Sequence, residues 1–164
     1  MILRSITFAG GLAAAVTTSQ FPEYSQQYLQ RLGGAVDALG EVVADFDTSA
    51  QAAGLNRQDA LAQMQGTDFL ERRRVDMTRS ITRHAQLRDD LRTLEGHGPF
   101  MRAYHVSRLT DPAIAQAAWD VYRPAVPVGF AGLTFAGVGF VAGITAISLL
   151  FALLRMPFAR RRRG

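Results

Sequence analysis

The sequence predicts an all-α membrane protein: two transmembrane helices with a long antiparallel, coiled-coil-like helical hairpin between them. Three observations predict it. Residues 125–154 hold no charged side chain, a run longer than the ~20 apolar residues that cross a bilayer core. Behind that run stand Arg155, Arg160, Arg161, Arg162 and Arg163, the mark of a cytoplasmic end under the positive-inside rule. The middle of the chain repeats its apolar side chains at alternating three- and four-residue steps, the period of a helix face.

The first span is expected at residues 5–21. It follows Arg4, and its apolar core, residues 6–16, is short and rich in small side chains. A cleaved signal peptide would share these features, with Ala13-Ala14-Ala15 as a cleavage-like site. Retention is favoured, because Gly10, Gly11, Ala13 and Ala14 suit close helix contact. Arg4 then snorkels to the cytoplasmic interface. With both ends cytoplasmic, residues 22–123 lie across the membrane, in the periplasm of a bacterial inner membrane. A loop of more than ~60 residues does not set topology by its own arginines.

Within that domain, Tyr28, Leu32, Ala35, Leu39, Val42 and Phe46 form one seam, flanked by Leu29, Val36 and Val43. This arm ends near Thr48 and Ser49. A break around Gly54 leads to Asn56 as the N-cap of a short helix, with Asp59 three residues on. Gly66 ends that helix and Thr67 caps the next, whose apolar stripe is Leu70, Met77, Ile81, His84, Leu87, Leu91 and Leu94. Gly96, Gly98 and Pro99 stop it. Residues 21–54 carry five acids and one arginine, whereas residues 66–110 carry nine arginines and six acids. Opposite charge and facing seams argue for antiparallel arms. Asp111 and Pro112 start a further helix as N-cap and N1, lined by Ile114, Ala118, Val121 and Tyr122. Trp119, Tyr122 and Arg123 on one side, and Phe21, Tyr24 and Tyr28 on the other, occupy the places of an aromatic belt.

The second span, residues 125–154, bears a stripe of small residues: Ala125, Gly129, Gly132, Ala136, Gly139, Gly143 and Ala146. Such a stripe receives another helix at close range, either the first span or a second copy of the protein. Phe130, Phe135, Phe140 and Phe151 are expected to point to lipid or into larger gaps. Residues 155–164 form a basic cytoplasmic tail.

The chain of 164 residues has a formal net charge of +4, but the excess sits at the ends. Residues 21–124 hold 12 arginines against 14 acids, so no basic face remains for a nucleic acid. There is no cysteine, hence no thiolate nucleophile and no disulfide framework. His84, His97 and His105 lack metal-ligand spacing, and His84 reads as a packing histidine. Asp89 and Asp90 read as a solvated face. No phosphate-binding loop, zinc-protease motif or nucleophile triad is present, so no catalytic residue, cofactor or metal is expected. Gly33 and Gly34 read as a point of close packing. Neither span holds an ionisable residue between its ends, which argues against a pump or transporter acting alone. Arg72, Arg73 and Arg74 are either a solvated face paired with Asp68, Glu71 and Asp76, or a dock for an acidic partner. Arg160, Arg161, Arg162 and Arg163 set topology and can hold anionic headgroups.

The stretch Ser19-Gln20-Phe21-Pro22-Glu23-Tyr24-Ser25-Gln26-Gln27-Tyr28-Leu29-Gln30-Arg31-Leu32-Gly33-Gly34, the Gly54-Leu55 turn, and Tyr122-Arg123-Pro124-Ala125-Val126-Pro127 resemble a family of two-span proteobacterial inner-membrane proteins catalogued as a domain of unknown function. The resemblance implies the topology and transfers no functional residue. The functional expectation is therefore a non-enzymatic structural or accessory membrane protein that self-associates or joins a larger complex. The rival is a protein that handles lipid or a small ligand at the periplasmic face. The expected partners are membrane lipids, other membrane subunits or itself.

Overall fold

The computed structural model describes residues 2–124, 126 and 128–160, with side chains to residue 154. Every regular element among the described residues is helical: α1 Ile2–Ser19, α2 Phe21–Ala52, α3 Arg57–Gln63, α4 Asp68–Leu94, α5 Pro99–Tyr104, a 3-10 turn Val106–Arg108, α6 Pro112–Val121 and α7 Phe130–Arg160. The chain divides into two units, Met1–Ser25 with Tyr122–Gly164, and Gln26–Val121.

The first unit is a helix pair. The helical stretch opened by α1 and the α7 segment Phe130–Leu154 are both long and apolar enough to cross a membrane. α7 starts five residues later than the uncharged run suggests. Pro124 has no N–H, and a residue before proline is pushed out of the helical region, which keeps Val126 ahead of Pro127 non-helical. Ala125 lies outside the described residues. α1 and α7 run antiparallel: Gly10 meets Ile147, Gly11 meets Phe140 and Ile144, and Ala14 and Thr18 meet Gly143 and Gly139. Phe8 stacks edge-on against Phe140 at 5.6 Å, and Phe21 lies 5.3 Å from Phe135. Phe140 thus packs on α1 and Phe135 on Phe21 at the start of α2, the larger-gap alternative of the expectation, while Phe130 is exposed. A helix surrendering side-chain volume at glycine lets the rings beside it reach the neighbouring helix.

The second unit is built on α2 and α4. Its caps follow the sequence. The Asn56 side chain accepts from the Asp59 N–H at 2.9 Å, and Thr67 Oγ1 accepts from Leu70 at 3.3 Å. Gly66 and Gly96 adopt φ +99° and +74°, the left-handed region that stops a helix without Cβ strain. Asp111 Oδ1 accepts from the N–H groups of Ala113 and Ile114 at 3.1 and 3.0 Å, opening α6 ahead of Pro112.

The core of this unit is Tyr28, Leu32, Val36, Val43 and Ala50 of α2, Leu87 and Leu94 of α4, and Ile114 and Ala118 of α6. Val36 and Val43, expected at the flank of the α2 seam, lie at its centre, and Val42 is exposed. Tyr28 is not an interfacial aromatic. It is only 1% exposed, and its hydroxyl accepts from the Asp111 N–H at 3.1 Å. Gly40 faces the His84 imidazole across α2 and α4, so His84 packs as expected. Gly33 and Gly34 border open space and serve no close contact. α5 was not expected from sequence. Pro99 at its first turn and Gly98 as its cap start a helix where proline and glycine also end the previous one.

Candidate functional site

The first candidate is the close contact between α1 and α7. Gly132 and Gly139 are buried, and Ala136 and Gly143 are half-buried. The two ends of the expected stripe differ. Gly129 lies before the helix with open space around it, and Ala146 is exposed. On α1 the facing line is Thr7, Gly10, Gly11, Ala14, Ala15, Thr18 and Ser19, all at least partly buried. Ala13, expected on that line, is exposed, and Ala15 takes the place.

A Cβ placed on Gly139 would overlap Thr18 Oγ1 and come within 2.8 Å of the Ala14 carbonyl oxygen. One on Gly143 would come within 2.7 Å of Ala14 Cβ and 3.1 Å of the Gly11 Cα. Backbone meets backbone here, the condition for strong van der Waals contact where lipid removes the hydrophobic drive. Into the space left by Gly139 the Thr18 hydroxyl reaches across and donates to the Phe135 carbonyl at 2.7 Å. Sequence reasoning missed Thr18. Its signal was a small β-branched residue one helical turn beyond Ala14 on the glycine line. At the end of the pair the Tyr122 hydroxyl donates to Gln20 Oε1 at 2.6 Å, and Tyr24 and Tyr122 meet edge to face at 6.2 Å.

The second candidate is the end of the helical unit formed by α3 and the start of α4. Arg57 clamps Asp47 through two hydrogen bonds, Nε to Oδ1 at 2.7 Å and Nη2 to Oδ2. That bond holds the Asp47 carboxyl below its ordinary value. The clamp ties the last turns of α2 to α3. Arg72, Arg73 and Arg74 make no salt bridge among the described residues; the ion pair of this region is Arg79–Asp76 at 3.6 Å. The expected pairing of the triplet with its own acids is not found. The triplet is also split. Arg72 and Arg74 line an open groove with Asp68, Glu71, Val75, Asp76 and Arg79, and Arg73 does not. Arg74 is half-buried and also lines an open groove with Leu61 and Ala62. Phe69, 70% exposed, Leu70 and Val75 stand uncovered around them.

The third candidate lies at the other end of this unit. Arg108 Nη1 donates to Asp89 Oδ2 at 2.8 Å and Asp90 Oδ1 at 2.9 Å, and those carboxylates, Asp90 first, raise Arg108 above its ordinary value. The acid pair is therefore a docking point for the 3-10 turn and not a bare solvated face. Arg83 pairs with Asp111 at 3.2 Å. His97 Nδ1 lies 2.7 Å from the Thr93 carbonyl, so this nitrogen donates, and its ring stacks on His105 at 5.7 Å. No group of three or more metal-ligating side chains occurs among the described residues. Arg161, Arg162 and Arg163 lie outside the described residues, as does the side chain of Arg160.

These features define a class: an all-helical protein with two helices able to cross a membrane and a separate helical unit joined to both. The chain belongs to the family of proteins of unknown function DUF2937, whose model matches residues 2–160. No curated protein and no solved structure matches it.

Proposed function

We propose that this protein is a non-enzymatic accessory subunit of a larger membrane complex. Its two spans anchor it in a bacterial inner membrane with both ends cytoplasmic. Its helical unit is an antiparallel hairpin on the periplasmic side, whose far end meets the partner. The observation that carries this reading is the uncovered cluster at the start of α4. Phe69, Leu70 and Val75 are exposed around Arg72 and Arg73, which make no salt bridge among the described residues. Contiguous apolar surface mixed with arginine marks a contact surface more than a solvated helix face. The partner it fits offers apolar side chains beside carboxylates. The hairpin is supported by Gly40 opposite His84 midway along the arms and by the Gln26–Arg102 hydrogen bond of 2.7 Å toward its base. Self-association through the glycine stripe has less support, because Gly139 and Gly143 already face α1.

The test is native mass spectrometry of the full chain after mild detergent extraction, beside a photo-crosslinkable side chain at position 69. A second subunit in fixed ratio, lost in Phe69→Ser/Val75→Ser, supports the proposal. A monomer carrying only lipid, unchanged by that double substitution, sinks it and favours the lipid-handling alternative.

A further inference from the structure

We infer that α5, the 3-10 turn and α6 form an interfacial element that lies against the bilayer surface, with Phe100, Met101, Tyr104, Val106 and Trp119 inserted at headgroup depth. All five are exposed, Tyr104 at 79% and Trp119 at 64%. They are the second group of exposed large apolar side chains in the helical unit, all within residues 100–119 and far in sequence from the first at Phe69.

Lipid is the occupant for three reasons. The first is chain continuity. The helical unit is joined to the membrane unit at two places only, after Ser25 and before Tyr122. The cluster belongs to the segment at both. α6 ends at Val121 itself, and α5 is tied to Gln26, the first residue after the other junction, through the Arg102 Nη1 to Gln26 Oε1 hydrogen bond of 2.7 Å. The second is composition. Trp, Tyr, Phe and Met with an adjacent arginine are the side chains whose amphipathic bodies suit the headgroup and acyl boundary. The third is what holds the cluster in place. Ile114 and Ala118 of α6 are buried, the Tyr28 hydroxyl grips the Asp111 N–H, and Arg108 clamps Asp89 and Asp90. The segment is thus fixed through its inner groups while these five large apolar side chains stay exposed.

The chain supplies its own probe, since Trp119 is its single tryptophan. The full-length protein is reconstituted in phosphatidylethanolamine–phosphatidylglycerol vesicles at about one chain per vesicle. Fluorescence is then quenched by lipids brominated high or low on the acyl chain, and by aqueous iodide. An element buried roughly 5–10 Å into the interface gives strong quenching by shallow bromine, weaker quenching by deep bromine, and protection from iodide. Tyr104→Trp in a Trp119→Phe background must give the same pattern, which separates α5 from the residue next to the span. Phe69→Trp in that background is the control, open to iodide and blind to bromine. The inference is overturned if position 104 or 119 is quenched by iodide as freely as position 69. It is overturned equally if protection from iodide appears only at high protein-to-lipid ratio, the signature of a second copy covering the cluster. Neither result bears on the partner surface at Phe69, whose failure is read from subunit loss alone.

Discussion

Replacing Gly139 or Gly143 by Ile should separate α1 from α7 while leaving both inserted. The first atom of the new side chain at Gly139 would lie 2.8 Å from the Ala14 oxygen, and at Gly143 2.7 Å from Ala14 Cβ. Ordinary carbon contacts sit near 3.5 Å, so the helices must recede by roughly 0.7 Å for the Cβ alone, and further for the rest of Ile. Three of the obstacles, the Ala14 oxygen at Gly139 and the Gly10 oxygen and Gly11 Cα at Gly143, are backbone and cannot rotate away. Overpacking of this kind costs about 1–3 kcal/mol. At Gly139 the Thr18–Phe135 hydrogen bond is lost as well, worth ~0.6 kcal/mol between membrane helices. The total, roughly 2–4 kcal/mol, is more than tenfold in the paired-to-parted ratio. Gly137→Ile is the matched control, because nothing lies within 4 Å of a Cβ at Gly137. The chain has no cysteine, so fluorophores on Leu3→Cys and Leu153→Cys report helix pairing by energy transfer during an SDS titration in mixed micelles. Gly139→Ile and Gly143→Ile should part at clearly lower SDS than wild type, and Gly137→Ile should match it. Equal midpoints for all three would refute the backbone-contact account.

Thr18→Val keeps the shape and removes the donor to Phe135, and in the same titration it should cost no more than ~1 kcal/mol. Asp47→Asn should lower the melting midpoint of the helical unit slightly, on the order of 0.5 kcal/mol for an exposed bidentate pair. The difference should be present above the unfolded carboxylate range near pH 4 and vanish as acid protonates Asp47 through its depressed folded value, seen by circular dichroism across pH 2–7. Asp111→Ala removes the cap of α6 and the Arg83 partner together, and should cost about 1–2 kcal/mol by denaturant titration. Tyr28→Phe should cost about 1 kcal/mol by the same assay, because the Asp111 N–H then loses its acceptor in a buried setting.

The local punctuation of this fold was legible. Asn56, Thr67 and Asp111 cap the helices they were expected to cap, because a side-chain oxygen beside unpaired N–H groups is a property of a few residues in a row. The apolar line of α4 was legible from Met77 to Leu94 through its helical period, whereas Leu70, expected on it, is exposed. What depended on distant partners was not. Tyr28 reads as a belt aromatic in its own sequence, and only the Asp111 N–H, 83 residues away, makes it a buried acceptor. Asp89 and Asp90 look solvated until Arg108 folds back on them. The α2 seam was legible at Tyr28 and Leu32 but lay one position off further along, where Val36 and Val43 are buried and Val42 is exposed, since a seam widened by apolar side chains on one side does not say where its centre lies. α5 was hidden because its six residues are too few to show a period.

The small-residue stripe shows how a pattern can leave its use undetermined. Of its seven residues Gly132, Ala136, Gly139 and Gly143 are at least partly buried, but a groove of small side chains fits any helix of matching shape. The complement was in the chain, in Gly10, Gly11, Ala14 and Thr18, spaced by one, three and four residues, and it is recognisable only once the two lines are set antiparallel. With that contact made within one chain, the stripe no longer argues for a second copy. Any assembly has to use surface the pair leaves uncovered, and the exposed large apolar side chains of the helical unit, Val42 apart, fall in two stretches of chain. One is joined by sequence to the membrane junctions and is rich in Trp, Tyr and Phe. The other sets Phe69 and Val75 beside Arg72 and Arg73, which make no salt bridge among the described residues. Lipid suits the first and a protein suits the second, so Tyr104 and Phe69 are the two positions at which function should separate.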